Sequence, residues 1–197
     1  MRYEPLQEAG TLEVVLQGNP PDLDAFGIAL THLQEVVDRV AYWVAIEGGL
    51  LPPSRTQLPH LRRLGRAFRL GEPGHLVKGR VLGASPGSLI HEIGFVLAAV
   101  VADPDMRAIL QNLAANVIWA IGRSGLRGIR LNPNLDAPRG APRLERSDPA
   151  DIGPNLRTVV LALAESGQTG EIRVRSKRGG KVEHEVLISL QGTTDTA

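Results

Sequence analysis

The sequence of 197 residues contains no cysteine. This absence excludes disulfides, thiolate chemistry and zinc held by cysteine. Long apolar runs are also missing, since the longest stretch without a polar side chain, residues 93–102, is about half of the roughly 20 residues that a membrane-spanning helix needs. The first ten residues are polar and lack the apolar segment of a secretory signal. We therefore expect a cytoplasmic protein without a transmembrane segment.

The sequence also lacks the motifs of common cofactor and metal enzymes. It has no G-x-G-x-x-G, no phosphate-binding P-loop and no H-E-x-x-H. His32 and Glu35 lie one turn apart on a predicted helix and could touch a metal ion, but two ligands are too few for a site. We expect no cofactor and no bound metal.

One string resembles a catalytic motif. Residues 83–87, G-A-S-P-G, match the G-x-S-x-G nucleophile elbow. In that elbow the residue after the serine donates its backbone N–H to the oxyanion, whereas Pro86 has no N–H to donate. The elbow also joins a strand to a helix, and this segment is more typical of a hairpin turn. We therefore expect no catalytic residues and no enzymatic activity.

A long amphipathic helix is predicted near the start of the chain. A β-rich run over Thr11–Gln17 ends at a Gly-Asn-Pro-Pro turn, after which Asp22 or Asp24 can cap a helix that runs to about Ile46. Its apolar residues recur in steps of four and three, which predicts a core-facing stripe, with a dimerising seam as the alternative. The stripe consists of Phe26, Leu30, Leu33, Val37, Val40 and Val44.

Two hairpins are predicted. In the first, residues 76–83 and 88–97 flank Ser85-Pro86-Gly87-Ser88, a sequence that favours a type II turn, and residues 95–102 could be strand or helix. In the second, residues 171–177 and 182–190 flank two glycines. A three-residue loop, residues 179–181, would pair Val174 with Val186 and Ile172 with Ile188. It would also set Arg175 opposite Glu185 and Lys177 opposite Glu183.

The remaining chain predicts three shorter helices and a linker. The helices are expected at residues 58–70, from Asp103-Pro104 to about residue 124, and at residues 155–165. The predicted fold class is α+β, with an antiparallel sheet of about five strands, namely two hairpins plus an N-terminal strand, and about four helices mainly on one face. Residues 1–126 would form the main region, 127–154 a Pro- and Arg-rich linker or long loop, and 155–192 a helix and hairpin that complete the same domain.

Charge is distributed unevenly although the net charge is only +1. Residues 1–50 carry 2 basic and 8 acidic side chains, and residues 51–90 carry 7 basic and 1 acidic. Arg62, Arg66 and Arg69 would form one side of the second predicted helix, with Arg63 flanking it. This basic surface could be a solvated face, a contact for an acidic protein, or a contact for phosphate.

These observations favour a protein-interaction or adaptor module of a bacterial cytoplasmic complex, without enzymatic activity. It would act through its polarised helices or an open sheet edge, on a protein partner or by self-association. A nucleic-acid or nucleotide binder with a basic surface is the first alternative. An enzyme with an unfamiliar site is the second.

Overall fold

The computed structural model describes residues 4–5, 11–18, 21–48, 77–86, 90–99, 112–131, 152–166 and 168–190, with the backbone alone for residues 4–5, 17–18, 77–86, 90–99, 131 and 168–170. The described helices are α1 (Leu23–Glu47), α2 (Leu113–Gly122) and α3 (Gly153–Glu165). The described strands are β1 (Glu4–Pro5), β2 (Thr11–Gly18), β3 (Val77–Pro86), β4 (Ile90–Ala99), β5 (Ile129–Leu131), β6 (Gln168–Arg178) and β7 (Lys181–Ser189). The α+β fold class is therefore confirmed.

All seven described strands belong to one antiparallel sheet. From one edge to the other the order is β3, β4, β2, β6, β7, β5, and the two-residue β1 pairs with β4 beyond the end of β2. The β3–β4 hairpin and the β6–β7 hairpin thus attach to opposite sides of β2. β2 is therefore the strand that joins the two hairpins into one sheet.

The described helices share their core with one face of this sheet. Alternate residues of β2, β6 and β7 point into the cluster, as the period of two along a strand requires. These strand residues are Leu12, Val14, Leu16, Ile172, Val174, Val186 and Ile188. In α2 the side chains of Leu113, Val117 and Ile121 are completely buried. Packing of one apolar helix side on one sheet face is the layered arrangement that the periodicity predicted.

The long helix α1 begins and ends close to the predicted residues. The Asp22 carboxylate accepts a hydrogen bond from the backbone N–H of Ala25 at 2.7 Å, which satisfies one of the free donors of the first turn. The helix ends at Glu47, with Gly48 as its C-terminal cap. Of the predicted stripe, Leu33, Val37, Val40 and Val44 are buried, while Phe26 and Leu30 are partly buried against the core.

The sheet contains more strands than predicted. The additions are β1 and β5, which are too short to leave an alternating pattern in the sequence. β5 lies within the stretch expected to be a linker, and the division of the chain into three regions stays a prediction. β4 extends to Ala99, so residues 95–99 of the stretch 95–102 are strand and not helix.

The predicted type II turn in the first hairpin is wrong. β3 continues through Pro86, so that Ser85 pairs with Glu92 and Pro86 with His91. Proline is tolerated here because β3 lies at an edge of the sheet. On the outer side of an edge strand no neighbouring strand needs a hydrogen bond from the backbone N–H that proline lacks. Residues 87–89, which connect the strands, lie outside the described residues, as do the helix predicted at 58–70 and the helix start predicted at Asp103-Pro104.

The second hairpin has the predicted register over most of its length. Ile172 pairs with Ile188, Val174 with Val186 and Arg175 with Glu185. The three-residue loop is wrong, because Arg178 pairs with Lys181 across a two-residue Gly179-Gly180 turn, and the pairing of Lys177 with Glu183 is therefore wrong as well. The extra residue is accommodated by a bulge between Ser176 and Lys177, which shifts Lys177 opposite Val182.

The turn depends on both glycines, since φ is +57° at Gly179 and +79° at Gly180, as a type I′ turn requires. We expect Gly180→Ala to lower the free energy of unfolding by about 1–2 kcal/mol, because an L side chain is strained at positive φ even in open space. Gly27→Ala is the matched control, since neither glycine has an atom within 4 Å of an added Cβ. Within α1 this change should stabilise the protein by about 0.5–1 kcal/mol.

Urea unfolding of the two glycine variants measures both effects. Equal effects of the same sign would contradict the positive φ assigned to the turn.

Candidate functional site

The edges of the sheet are the first candidates for an interaction site, because an unpaired strand edge presents free N–H and C=O groups. At one end the edge strand is β5, which is only three residues long. Two residues later the chain reaches Pro133, which cannot donate to a ladder. β5 pairs with Val186–Ile188, so residues 181–185 of β7 have no outer partner among the described strands.

This free part of β7 is poorly suited to pairing with another strand. Its pairing with β6 shifts register between Ser176 and Lys177, and bulges twist an edge away from further pairing. Charged residues, namely Lys181, Glu183 and Glu185, occupy alternate positions along it. Bulges and charges are the devices by which proteins keep sheet edges from associating.

The opposite edge of the sheet is β3, which is ten residues long. Its pairing with β4 is regular from Val77 to Val81, followed by a register shift between Val81 and Gly83. Among the described strands none pairs with its outer side. Among the described helices, α1 contacts β3. β3 is thus the longest free edge in the described part of the chain.

β3 carries charge of a single sign. It contains Lys78 and Arg80 and no acidic residue, and it lies in the stretch of residues 51–90 with its 7 basic and 1 acidic side chains. Arg80 pairs in register with Val96, Val96 with Thr11, and Thr11 with Lys177. This row lies next to the core row of Leu12, and adjacent rows alternate between the two faces of a sheet. It therefore belongs to the face away from the helices.

The four candidate arginines from the sequence, Arg62, Arg63, Arg66 and Arg69, lie outside the described residues. Their contact with a partner or with phosphate stays a prediction. The structure adds Lys78 and Arg80 as basic residues at an edge strand, and the sequence signal for them was the same concentration of positive charge in residues 51–90.

Basic residues in the middle of the sheet are already paired with carboxylates. Lys177 Nζ donates to Glu13 Oε1 at 2.6 Å, and Arg175 Nε donates to Glu185 Oε2 at 2.5 Å. Arg175 also lies 3.8 Å from the second oxygen of Glu13. The pairing of Arg175 with Glu185 is as predicted, whereas Lys177 binds Glu13 on β2 because the bulge moves Glu183 away. Such cross-strand pairs stabilise the centre of the sheet and leave little net charge for a ligand.

A second polar cluster joins α1 to α3. Asn155, in the first turn of α3, is 7% exposed and lies against His32, Glu35 and Arg39 of α1. With its amide nitrogen toward α1, Asn155 donates to His32 Nδ1 at 3.1 Å and to Glu35 Oε2 at 2.6 Å. Its amide oxygen then accepts from Arg39 Nε at 3.1 Å. We call these four residues the polar clamp.

The polar clamp tests the expectation that His32 and Glu35 could touch a metal. His32 Nδ1 lies 3.5 Å from Glu35 Oε2, and the third residue near them is Asn155. To bind a metal beside His32, Asn155 would have to turn its amide oxygen toward His32. Its amide nitrogen, a donor, would then face Arg39 Nε, which is also a donor. The opposite orientation satisfies every partner without a cation. Among the described residues no group of three or more His, Cys, Asp or Glu side chains could hold a metal ion.

A half-buried tyrosine, Tyr42, lies in the second half of α1. Burial, and secondly the carboxylate of Asp38, raise the pKa of Tyr42 above its usual value of 10.0. Both effects disfavour the phenolate, so Tyr42 keeps its proton at neutral pH. This shift belongs to a helix side packed in the protein and does not mark a general base.

The segment that matches the nucleophile elbow lies in β3 and leads into another strand. Ser85 pairs in register with Glu92, while His91 pairs with Pro86. Paired residues share a sheet face and the next residue along a strand lies on the other, so Ser85 and His91 belong to opposite faces. The strand-to-helix turn that exposes a nucleophilic serine is not the backbone found here.

The described core contains an apolar cavity of about 30 Å³ between α1, α3 and the sheet. Apolar side chains alone line it, including Leu16, Phe26 and Leu163. Sites for small molecules usually enclose about 300–1,000 Å³ and add a few polar groups. The cavity is therefore much smaller than a typical small-molecule site, and its apolar lining offers no hydrogen bond to a bound molecule.

No described helix is both long and apolar enough to cross a membrane. Comparison with protein-family models, with curated proteins and with solved structures found no match to this chain. What the chain binds must therefore be inferred from its own geometry and charge.

Proposed function

We propose that this chain is a non-enzymatic protein-interaction or adaptor module of a bacterial cytoplasmic complex, and that it binds a protein segment along the outer edge of β3. One observation carries the proposal: β3 is a ten-residue edge strand with no described strand on its outer side. An extended peptide that adds to such an edge gains main-chain hydrogen bonds along its whole length.

Two features of the sheet favour β3 over the other edge. The register shift falls inside the free part of β7, between Val182 and His184, and β5 offers only three residues. By contrast, β3 pairs regularly with β4 over Val77–Val81, so its outer groups are spaced as a partner strand requires. A partner protein and a second copy of this chain could both supply that strand, and the two differ in their dependence on protein concentration.

Hydrogen exchange of the full chain tests this function. Three peptides about ten residues long, the length of β3, would alternate threonine with glutamate, glutamine or lysine. We expect at least one of them to slow exchange of backbone amides in residues 77–86, because a docked strand accepts the outward N–H groups. Residues 129–131 on the opposite edge are the internal control. If β3 is unprotected by all three peptides and by raising the protein concentration, the proposed function is wrong.

A nucleic-acid binder is the second candidate, favoured by the 7 basic and 1 acidic side chains of residues 51–90. Phosphate contacts would give binding to a single-stranded oligonucleotide that falls steeply with salt. Such binding would not require a free strand edge. It should therefore leave the exchange of β3 amides unchanged, which separates it from the interaction function.

A further inference from the structure

We propose that the strand that docks on β3 is acidic, with carboxylates at alternate positions opposite Lys78 and Arg80. This inference rests on the proposed function and names the chemistry of its partner. It follows from the spacing of the two cations, from the residues that share their rows in the sheet, and from the pairing of the nearest described carboxylates.

The spacing of Lys78 and Arg80 matches a partner strand. Residues two apart in a strand belong to the same face and are about 7 Å from each other. Val77, Gly79 and Val81 alternate with the two cations. A partner strand with the same period places a carboxylate opposite each cation when acidic residues occur at every second position.

Inside the sheet, the rows that contain these cations hold no carboxylate. Lys78 pairs with Ala98, and Ala98 with Pro5 of β1. Arg80 pairs with Val96, and the row continues to Thr11 and then Lys177. In the register of the described strands, the two positions therefore share their rows with uncharged residues and one further cation. Within the described strands, no carboxylate shares a row with Lys78 or Arg80.

Glu13 is the nearest carboxylate of the central strands in this register, and it is already paired. It lies two rows from that of Arg80, on the same face of the sheet, where it contacts Lys177 at 2.6 Å and Arg175 at 3.8 Å. Only 10% of its side chain is exposed. Glu185, in the same row, binds Arg175. Two carboxylates facing two cations balance each other, so this row leaves no spare negative charge for β3.

Charge complementarity therefore selects an acidic strand as the occupant of this edge. A second copy of this chain that paired through β3 would place β3 against itself and bring Lys78 and Arg80 of both copies together, which is unfavourable for like charges. Its free β7 segment would offer Lys181 together with Glu183 and Glu185 beside a register shift. An acidic segment of a partner protein meets neither obstacle.

Fluorescence anisotropy of labelled peptides on the full chain tests the inference. The probes are the three alternating peptides above and a fourth with the same number of glutamates placed consecutively. Two cross-strand charge pairs should make the alternating glutamate peptide bind about 2-fold to about 30-fold more tightly than the glutamine peptide. About 1 M salt should remove most of this advantage, since it shortens the screening length to about 3 Å.

Charge reversal gives the sharpest comparison. In the double variant Lys78→Glu and Arg80→Glu we expect the order to invert, so that the lysine peptide binds more tightly than the glutamate peptide. The inversion keeps the test valid, because a variant that failed to fold would bind neither peptide. Arg130→Glu, on the opposite edge strand β5, is the matched control and should leave the order unchanged.

Each contrary result has its own meaning. Equal binding of the glutamate and glutamine peptides would overturn the acidic partner and leave the edge function in place. Equal binding of the alternating and the consecutive glutamate peptides would overturn it too, because bulk charge and not strand register would then attract the ligand. Binding of an oligonucleotide that displaces the glutamate peptide would replace the inference with phosphate recognition. No binding and no exchange protection by any peptide would overturn the proposed function itself.

Discussion

Truncation of Leu163 to alanine should lower the free energy of unfolding by about 3–5 kcal/mol. Leu163 is 2% exposed, lies on the inner side of α3 and lines the apolar cavity. The loss of unfolding free energy should reach the upper part of the range observed for buried leucines. The void left by Leu163 would merge with the existing cavity of about 30 Å³, and one neighbouring side chain could not move far enough to fill the combined space. Such a loss is a large share of the roughly 5–15 kcal/mol that stabilises a typical domain.

Leu161→Ala is the matched control for this prediction. It removes the same atoms from the same helix, but Leu161 is 37% exposed, so we expect a cost of about 1 kcal/mol or less. Chemical denaturation of both variants measures the difference. The enlarged apolar void of Leu163→Ala should also bind xenon or benzene, which would raise its thermal midpoint. Equal costs for the two variants would contradict the packing of α3 on the sheet.

Asn155→Ala should lower the free energy of unfolding by about 2–3 kcal/mol. The amide is buried and bridges Glu35, His32 and Arg39, with hydrogen bonds of 2.6, 3.1 and 3.1 Å. Alanine removes the side chain that joins these groups at the contact between α1 and α3, and hydrogen bonds to charged groups in a buried contact are costly to lose. Thermal and urea unfolding measure the loss.

Arg157→Ala is the control, since Arg157 is exposed on the same helix and should cost no more than about 0.5 kcal/mol. Asn155→Asp separates the hydrogen-bonded clamp from a metal site. It should destabilise the protein, because it removes the amide donors and adds a second carboxylate beside Glu35. If it instead bound zinc or manganese with a raised thermal midpoint, or if a chelator lowered the midpoint of the unsubstituted protein, the polar clamp would be a metal site.

Local patterns were sufficient for the long elements of this fold. The stripe of α1 and its Asp22 cap were predicted because a helix of 25 residues repeats its signal many times. The register of Ile172 and Val174 against Val186 and Ile188 followed from the need to place apolar residues on one face. The strands β1 and β5 were missed because two or three residues carry no periodicity.

The turns were less predictable than the strands that they connect. For the β6–β7 hairpin the same inward pairs are compatible with a three-residue loop and with a two-residue turn plus a bulge. The positive φ of Gly179 and Gly180 favours the second, and this moves Lys177 from Glu183 to Glu13. A bulge changes which charges meet without changing which side chains are buried, so hydrophobic patterning cannot detect it.

The sequence by itself determined that this is an α+β chain without cysteine chemistry, with two hairpins, an N-terminal strand and opposite charges in its first two segments. These properties depend on composition and on periods of two and 3.6 residues, which are local. Only the tertiary structure decided that β2 joins the hairpins, that Asn155 meets His32 and Glu35 across more than 100 residues of chain, and that β3 is the free edge. Strand order and helix contacts arise from burial between distant segments, and no local pattern specifies which distant segment is the partner.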